Sequence, residues 1–351
     1  MSARRKKYYI RKDRVALFLI VFFIGIFGCV RFVSAVTNMN SSVDVPDTVN
    51  VTAEDSVNDD IVVTSQSIEH DAVDEVIDVF VPLIEYPVMA EGTKLFAEGS
   101  LDCDFAILVD THSNTVLAQK NGFERIYPAS LTKIMTLIVA VENIENMNAS
   151  FTMTAQILSP LYRANATLAG FVEGESASMI DLLYGVALPS GADATCALAE
   201  HICGSEEAFV QLMNEKAQQL SLQDTHFVNT SGLFDKDHYS TPADIAVILE
   251  YAIKNDLCRE ILSTYQYTTQ STPQHPEGIL LTSTMFNRMY GTEVEGVLIK
   301  GGKTGFTNEA GYCLASFAEK DGREYVAVTT KGHGRYQPIY DCFKIYDEYI
   351  D

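Results

Sequence analysis

The sequence predicts an α/β domain in which an antiparallel sheet is flanked by helices. Two strand pairs, near the two ends of residues 96–351, and a long helix-rich stretch between them carry this reading. Hairpins at both ends can lie in one sheet, and the helical middle then packs against that sheet or inserts into it. With 351 residues and 47% apolar content, the chain has ample material for a packed core.

Ahead of that domain the composition changes twice. Residues 1–14, "MSARRKKYYIRKDR", are strongly basic, and Val15–Val30 carry no charge. A basic head before an apolar run is an export signal, so residues 15–36 are read as a signal anchor or a signal peptide. Val33-Ser34-Ala35 permits cleavage after Ala35. Against cleavage, Phe32–Val36 extends the apolar run past Arg31, whose long side chain can snorkel to the interface; we favour the anchor. The basic flank puts the N-terminus in the cytoplasm and the rest outside.

Residues 37–95 hold 13 acidic residues and one basic residue, Lys94, among many Ser, Thr, Val and Asn. That composition predicts an acidic, disordered linker. Residues 96–351 carry 16 basic and 33 acidic residues. Such a surface is a poor match for nucleic acid, whose binding relies on Lys and Arg at phosphates.

Within the domain, "FAILVDTHSNTVLAQKN" from residue 105 reads as two strands around the turn formers "THSN". Ala129–Glu142 has apolar residues at 131, 134, 135, 138, 139 and 141, a helical spacing entered through Pro128. From about Met179 to Lys254 the pattern is helix-rich, including "ADATCALAEHICG" closed by Gly204. "GYCLASFAEKDGREYVAVTTKG" then gives two alternating runs around Asp321-Gly322, a hairpin turn signal.

Several chemistries find no support. The seven cysteines lack CxxC spacing. Cys196 and Cys203 sit seven apart on one predicted helix, roughly 10 Å by helical rise, too far to bridge each other. Buried free thiols are the expectation, with disulfides the alternative that export permits. No HExxH or comparable histidine spacing points to a metal, no glycine-rich phosphate loop is present, and no cofactor is expected. His238 lies in "DKDHYST" without a Gly-x-Ser-x-Gly elbow, so a structural role is expected for it.

The chemistry-bearing pattern begins at "YPASLTKIMT". Ser130 and Lys133 are three apart at the head of a helix and therefore share a face. A serine hydroxyl is a weak nucleophile until a base takes its proton. Lys133 is such a base if burial or a neighbouring cation lowers its pKa. Two further segments follow: "LPSGADATCALAE", where Ser190-Gly191 form a turn before a helix, and "IKGGKTGFTNEAGYCLASF", where Lys303, Thr304 and Gly305 precede a strand.

The order and intervals of these three segments resemble the D-alanyl-D-alanine carboxypeptidases, low-molecular-mass penicillin-binding proteins of the serine–lysine type. The likeness spans about residues 95–351 and includes "LMNEKAQQLSLQDTHFVNTSGLFDKDHYSTPADIA" between the second and third segments. It implies a penicillin-binding, β-lactamase-like α/β fold with a helical subdomain that carries Ser190. It further implies that Ser130 attacks the bond between two D-alanines of a peptidoglycan stem peptide, that Lys133 is its base, and that Ser190 relays a proton towards Lys133 and the leaving amine. Lys303 and Thr304 would hold the substrate carboxylate, Gly305 would admit the substrate backbone, and the N–H groups of Ser130 and Phe306 would form the oxyanion hole. Arg335, in "KGHGRYQ", is either a second carboxylate-binding cation or a solvated surface arginine.

The resemblance also implies β-lactams as covalent inhibitors, extracytoplasmic work at the cell wall, and either membrane attachment through the N-terminal segment or secretion. One departure stands out: the family's second segment is Ser-x-Asn, whereas this chain has Ser190-Gly191-Ala192. The missing amide leaves nucleophile, base, relay and oxyanion donors in place, so an active enzyme with altered substrate preference is expected. Asp193, next in sequence, is read as a helix N-terminal residue favoured by the dipole. The rival readings are a class A β-lactamase and a peptidoglycan-binding protein without catalysis.

Overall fold

The computed structural model describes residues 84–289 and 294–350. The expected basic head, the signal segment and most of the acidic linker lie outside the described residues.

In chain order the elements are β1 (Val88–Leu95), β2 (Phe105–Asp110), β3 (Thr115–Lys120), α1 (Thr132–Asn143), β4 (Ser150–Thr152), α2 (Ala155–Arg163), β5 (Ser176–Ser178), α3 (Met179–Ala187), α4 (Ala192–Cys203) and α5 (Glu206–Gln219). There follow α6 (Pro242–Lys254), α7 (Asp256–Ser263), β6 (Gln266–Thr268), β7 (Leu280–Thr282), β8 (Leu298–Thr307), β9 (Gly311–Lys320), β10 (Arg323–Gly332) and α8 (Gln337–Tyr349).

The two predicted hairpins meet in one six-stranded sheet of order β1-β3-β2-β10-β9-β8. Its pairings are antiparallel except β1 with β3, which is parallel. The β9–β10 turn is made by Asp321 and Gly322, both at positive φ (51° and 76°), the geometry a two-residue hairpin needs. Alternation then sends side chains to two cores. Ile107, Val109, Val326 and Val328 join α1 and α6 on one face, while Ala106, Leu108, Tyr325 and Ala327 join Ile339, Ile345 and Tyr346 of α8 on the other.

Strand β1 corrects the linker boundary. Residues 88–95, assigned by composition to the tether, pair with β3. Its side chains are mostly exposed, with Val88 59% and Leu95 71% accessible, so no buried alternation marked it as a strand. Just upstream, Tyr86 donates its hydroxyl to the carboxylate of Asp244, in the first turn of α6, whose N–H in turn donates to Thr241 Oγ1.

Helix α1 is buried on nearly every side, from Thr132 to Ala140. It packs against α3, α4, α5, α6 and α7, with α6 between it and the sheet, so any charge it carries in its first turn is taken out of water. The helical middle starts its helices with side-chain caps: Ser178 for α3, Ser205 for α5 and Thr241, followed by Pro242, for α6. α4 ends at Gly204 with φ 72°.

All six cysteines of the described residues are free, as expected. Burial pushes the thiols of Cys196, Cys258, Cys313 and Cys342 up to about 12, which leaves them unreactive at neutral pH.

Candidate active site

Ser130 sits in a tight turn, Ala129–Leu131, that leads directly into α1. Ala129 has φ +47°, unusual for a residue with a β-carbon. Two glycines close around that turn. A β-carbon at Gly232 would lie 1.8 Å from the Ala129 carbonyl oxygen, and one at Gly305 would lie 3.1 Å from the Ser130 nitrogen. The resemblance gave Gly305 the task of admitting substrate. Here the close neighbour is the turn that carries Ser130, which β8 approaches because Gly305 has no side chain.

One helical step on, Lys133 Nζ lies 3.1 Å from Ser130 Oγ and donates to the Ser231 carbonyl at 2.6 Å. Lys133 is 3% exposed. Burial lowers its ammonium to about 8, although Cys196, Asp193 and Glu206 pull the other way. The Ser-x-x-Lys spacing therefore yields a desolvated amine beside a hydroxyl rather than a surface pair.

Ser190 occupies the turn before α4 with φ +72°, a second strained position. The turn is fixed from below: Gly191 N–H donates to Gly185 O at 2.9 Å and Ala192 N–H to Thr167 O at 2.8 Å. Across the cleft, Lys303 of β8 donates to Ser190 Oγ at 2.8 Å and to the Thr304 carbonyl at 2.9 Å. Lys303 is 1% exposed, and burial, then Lys133 and Arg288, hold its ammonium well below the usual lysine range. The resemblance has Ser190 relay a proton towards Lys133; among the described residues its hydroxyl is held by Lys303. Lys303 lies buried in β8, and its ammonium reaches the Ser190 turn.

Thr304 Oγ1 lies 2.6 Å from Thr284 Oγ1, and Thr284 N–H donates to Leu188 O at 3.0 Å. Thr284 so bridges the segment ahead of Ser190 and the strand that carries Lys303. Phe306 is half exposed and stacks on Tyr312 with ring centroids 4.3 Å apart. Arg335 is exposed, beyond the end of β10; burial, and after it the charge of Arg335, lowers the guanidinium of Arg288. Arg288, partly buried in the turn Phe286–Arg288, brings a further cation towards Lys303.

The other two sequence readings resolve differently. His238 is 2% exposed; its Nδ1 accepts from Val228 N–H at 3.1 Å, and so Nε2 donates to Thr132 Oγ1 at 2.8 Å. Burial lowers it to about 4, which keeps it neutral and structural. Asp193 is more than a dipole partner. Its carboxylate accepts from the N–H groups of Ala169 (2.7 Å), Gly170 (3.0 Å) and Phe171 (3.2 Å) as well as from Ala194 (3.0 Å).

Sequence reasoning missed Ser231, Thr284 and Arg288. Ser231 acts through its carbonyl, which no side-chain motif reveals, and Thr284 and Arg288 reach the cleft only through the fold.

A serine hydroxyl beside a buried lysine amine, under a sheet edge carrying a second lysine, defines a serine–lysine centre on a penicillin-binding type of fold. Residues 93–333 match the family model described as D-alanyl-D-alanine carboxypeptidase, and the chain belongs to that family. It is 34% identical over 239 residues to the D-alanyl-D-alanine carboxypeptidase DacF of Bacillus subtilis, covering 67% of this chain and 59% of that protein. It is 33% identical over 237 residues to DacC of Escherichia coli, covering 65% and 56%. The chain thus spans less than two-thirds of the length of these curated relatives.

Among solved structures, the Streptomyces K15 DD-transpeptidase superposes with a TM-score of 0.65 at 28% identity, over 72% of this chain and 98% of that one. Penicillin-binding protein 5 of Haemophilus influenzae gives a TM-score of 0.62 at 26% identity, over 71% of each chain.

Proposed function

We propose that this protein removes the terminal D-alanine from peptidoglycan stem peptides through a serine acyl-enzyme. The observation that carries the reading is the Lys133 amine, buried, lowered to about 8 and 3.1 Å from Ser130 Oγ. In its neutral form Lys133 takes the Ser130 proton while Oγ bonds to the carbonyl carbon of the penultimate D-alanine. The N–H groups of Ser130 and Phe306 receive the oxyanion.

Collapse of the tetrahedral intermediate breaks the C–N bond, and the leaving amine gains a proton through Ser190. Lys303 holds the Ser190 hydroxyl at 2.8 Å, which aims that group across the cleft. Lys303, Thr304 and Arg335 receive the substrate carboxylate, a role suited to two cations and a hydroxyl. Water then cleaves the ester with Lys133 as base, restoring the Ser130 hydroxyl.

On this reading a β-lactam acylates Ser130 and persists there. The domain, from β1 to α8, works outside the cytoplasm at the wall, carried by the acidic segment and held by the apolar segment 15–36 or released from it.

Two measurements test the proposal. The full-length protein is expected to release D-alanine from a peptide ending in D-Ala-D-Ala and to carry a penicillin adduct on Ser130, while Ser130→Ala does neither. Peptide binding without release or adduct would favour the non-catalytic reading, and rapid penicillin hydrolysis the β-lactamase one. The acylation rate is also expected to rise with pH to a plateau, with a midpoint near the Lys133 value of about 8, because only the neutral amine accepts the proton. A rate independent of pH through that range would remove Lys133 as the base.

A further inference from the structure

We infer that the turn Asn229–Gly232 sets the nucleophile and the base together, and that Asn229 is the positioning residue on which it depends. The inference rests on the proposed serine–lysine chemistry for its kinetic readout but not for its structural one.

Three contacts converge on this four-residue turn. Its Ser231 carbonyl accepts from Lys133 Nζ at 2.6 Å, the shorter of the two hydrogen bonds that the amine makes. Its Gly232, at φ +79°, lies so close to the strained Ala129 that a β-carbon would stand 1.8 Å from the Ala129 carbonyl oxygen and 2.9 Å from Thr132 Oγ1. Ala129 immediately precedes Ser130 and Thr132 immediately precedes Lys133. A shift of the turn therefore moves both reacting groups.

The turn is held by two acceptors. Asn229 Oδ1 accepts from Gly232 N–H at 2.7 Å, Ser231 N–H at 3.2 Å and the Ser231 hydroxyl at 3.3 Å, while its Nδ2 donates to Leu233 O at 2.9 Å. Glu206 of α5 accepts from the N–H and hydroxyl of Thr230 at 2.8 and 2.7 Å. Thr136 of α1 closes the loop by donating to the Thr230 carbonyl at 2.7 Å.

The chemical consequence concerns direction. A neutral amine has two N–H groups and one lone pair. With one N–H spent on the Ser231 carbonyl, rotation about the Cε–Nζ bond is fixed, which lets the lone pair face the Ser130 O–H. The carbonyl also favours the ammonium. The charged and titratable groups facing Lys133 are Lys303 of β8, Asp193 and Cys196 of α4, Glu206 of α5, and His238. None of them is altered by substitution at Asn229.

The test follows Lys133 directly, by NMR of lysine side-chain carbons in the full-length protein, with the Lys133 signal assigned from its absence in Lys133→Met. In Asn229→Ala the Ser231 carbonyl is released, so the Lys133 titration midpoint is expected to fall. The penicillin acylation rate per folded molecule is expected to fall at least about tenfold, since misplaced reacting groups lose rate steeply. Asn229→Asp keeps the acceptor oxygen and adds negative charge, so it should retain acylation within about threefold while the midpoint rises. Asn229→Ser, which forms a weaker turn of the same kind, should lie between wild type and Ala and serves if the alanine variant does not fold.

An unchanged midpoint in Asn229→Ala or Asn229→Ser, with any loss of acylation explained by unfolded protein, would overturn the inference. If wild type itself is not acylated, the proposed function fails. The NMR midpoints still decide whether the turn positions Lys133.

Discussion

Lys133→Met is expected to reduce penicillin acylation by roughly a hundred- to ten-thousand-fold, the range for loss of a general base, while making the domain more stable. Both effects come from one fact. Lys133 is buried, and its ammonium is lowered from the usual value of 10.5 to about 8. A group whose folded pKa lies below its unfolded one destabilises the fold wherever both states are protonated, here below pH 8.

The shift of about 2.5 units corresponds to about 3 kcal/mol at 1.36 kcal/mol per unit. Methionine has similar length and no charge to desolvate. It leaves the Ser231 carbonyl without its donor, which costs about 1 kcal/mol or more. A net gain of roughly 2 kcal/mol remains, or a melting temperature higher by about 4–8 °C for a domain of this size.

The sign with pH follows from proton counting. Between about pH 8 and 10.5 the unfolded chain binds the proton that the folded one has released, so wild-type stability rises through that window and the methionine variant's does not. The gap between the two should therefore be widest below pH 8, close before pH 10.5 is reached and reverse above it, where only the cost of the orphaned Ser231 carbonyl, about 1 kcal/mol, remains. Thermal melts across that range measure it. A variant that is less stable at neutral pH would mean that Lys133 stabilises the fold, and that its burial is not the source of its reactivity.

What was readable in the sequence was what depends on local pattern. The apolar spacing of residues 131–141 gave α1, and Asp321-Gly322 gave the β9–β10 hairpin. Strand β1 was not readable, because "VMAEGTKL" is largely exposed and is ordered by pairing with β3, more than twenty residues on.

The site divides along the same line. Ser130 and Lys133 are one helical step apart, so their proximity follows from spacing alone. The bond from Lys303 to Ser190 joins residues 113 apart and depends on how β8 passes the Ser190 turn. Ser231 contributes a carbonyl, which every residue has, so composition carried no trace of it. Asp193 had the right residue type for a helix start, yet three of its four partners are N–H groups more than twenty residues upstream.

That last contact supports the other large effect. Asp193→Ala is expected to destabilise the domain by roughly 2–5 kcal/mol, because it orphans the N–H groups of buried Ala169 and Phe171, each costing about 1–3 kcal/mol when unpaired, and that of the more exposed Gly170. Burial raises the Asp193 carboxyl above its ordinary value, against the four N–H groups that favour its charge. The ionised, acceptor-only form matches a ring of donors that no neutral side chain of the same size reproduces.

Asparagine keeps one oxygen and turns an NH₂ towards N–H groups, so Asp193→Asn should recover only part of the loss. The effect should reach Ser190. Ala192 N–H donates to Thr167 O, and a β-carbon on Gly191 would lie 2.6 Å from both Ala169 Cβ and Asp193 Oδ1, so the 167–171 segment and the Ser190 turn pack as one unit. Melting experiments paired with acylation rates on the folded fraction separate the two consequences. A melting temperature within about 3 °C of wild type, equivalent to about 1 kcal/mol, would mean that water or a shifted loop satisfies those three donors, and that the Ser190 turn keeps its shape without Asp193.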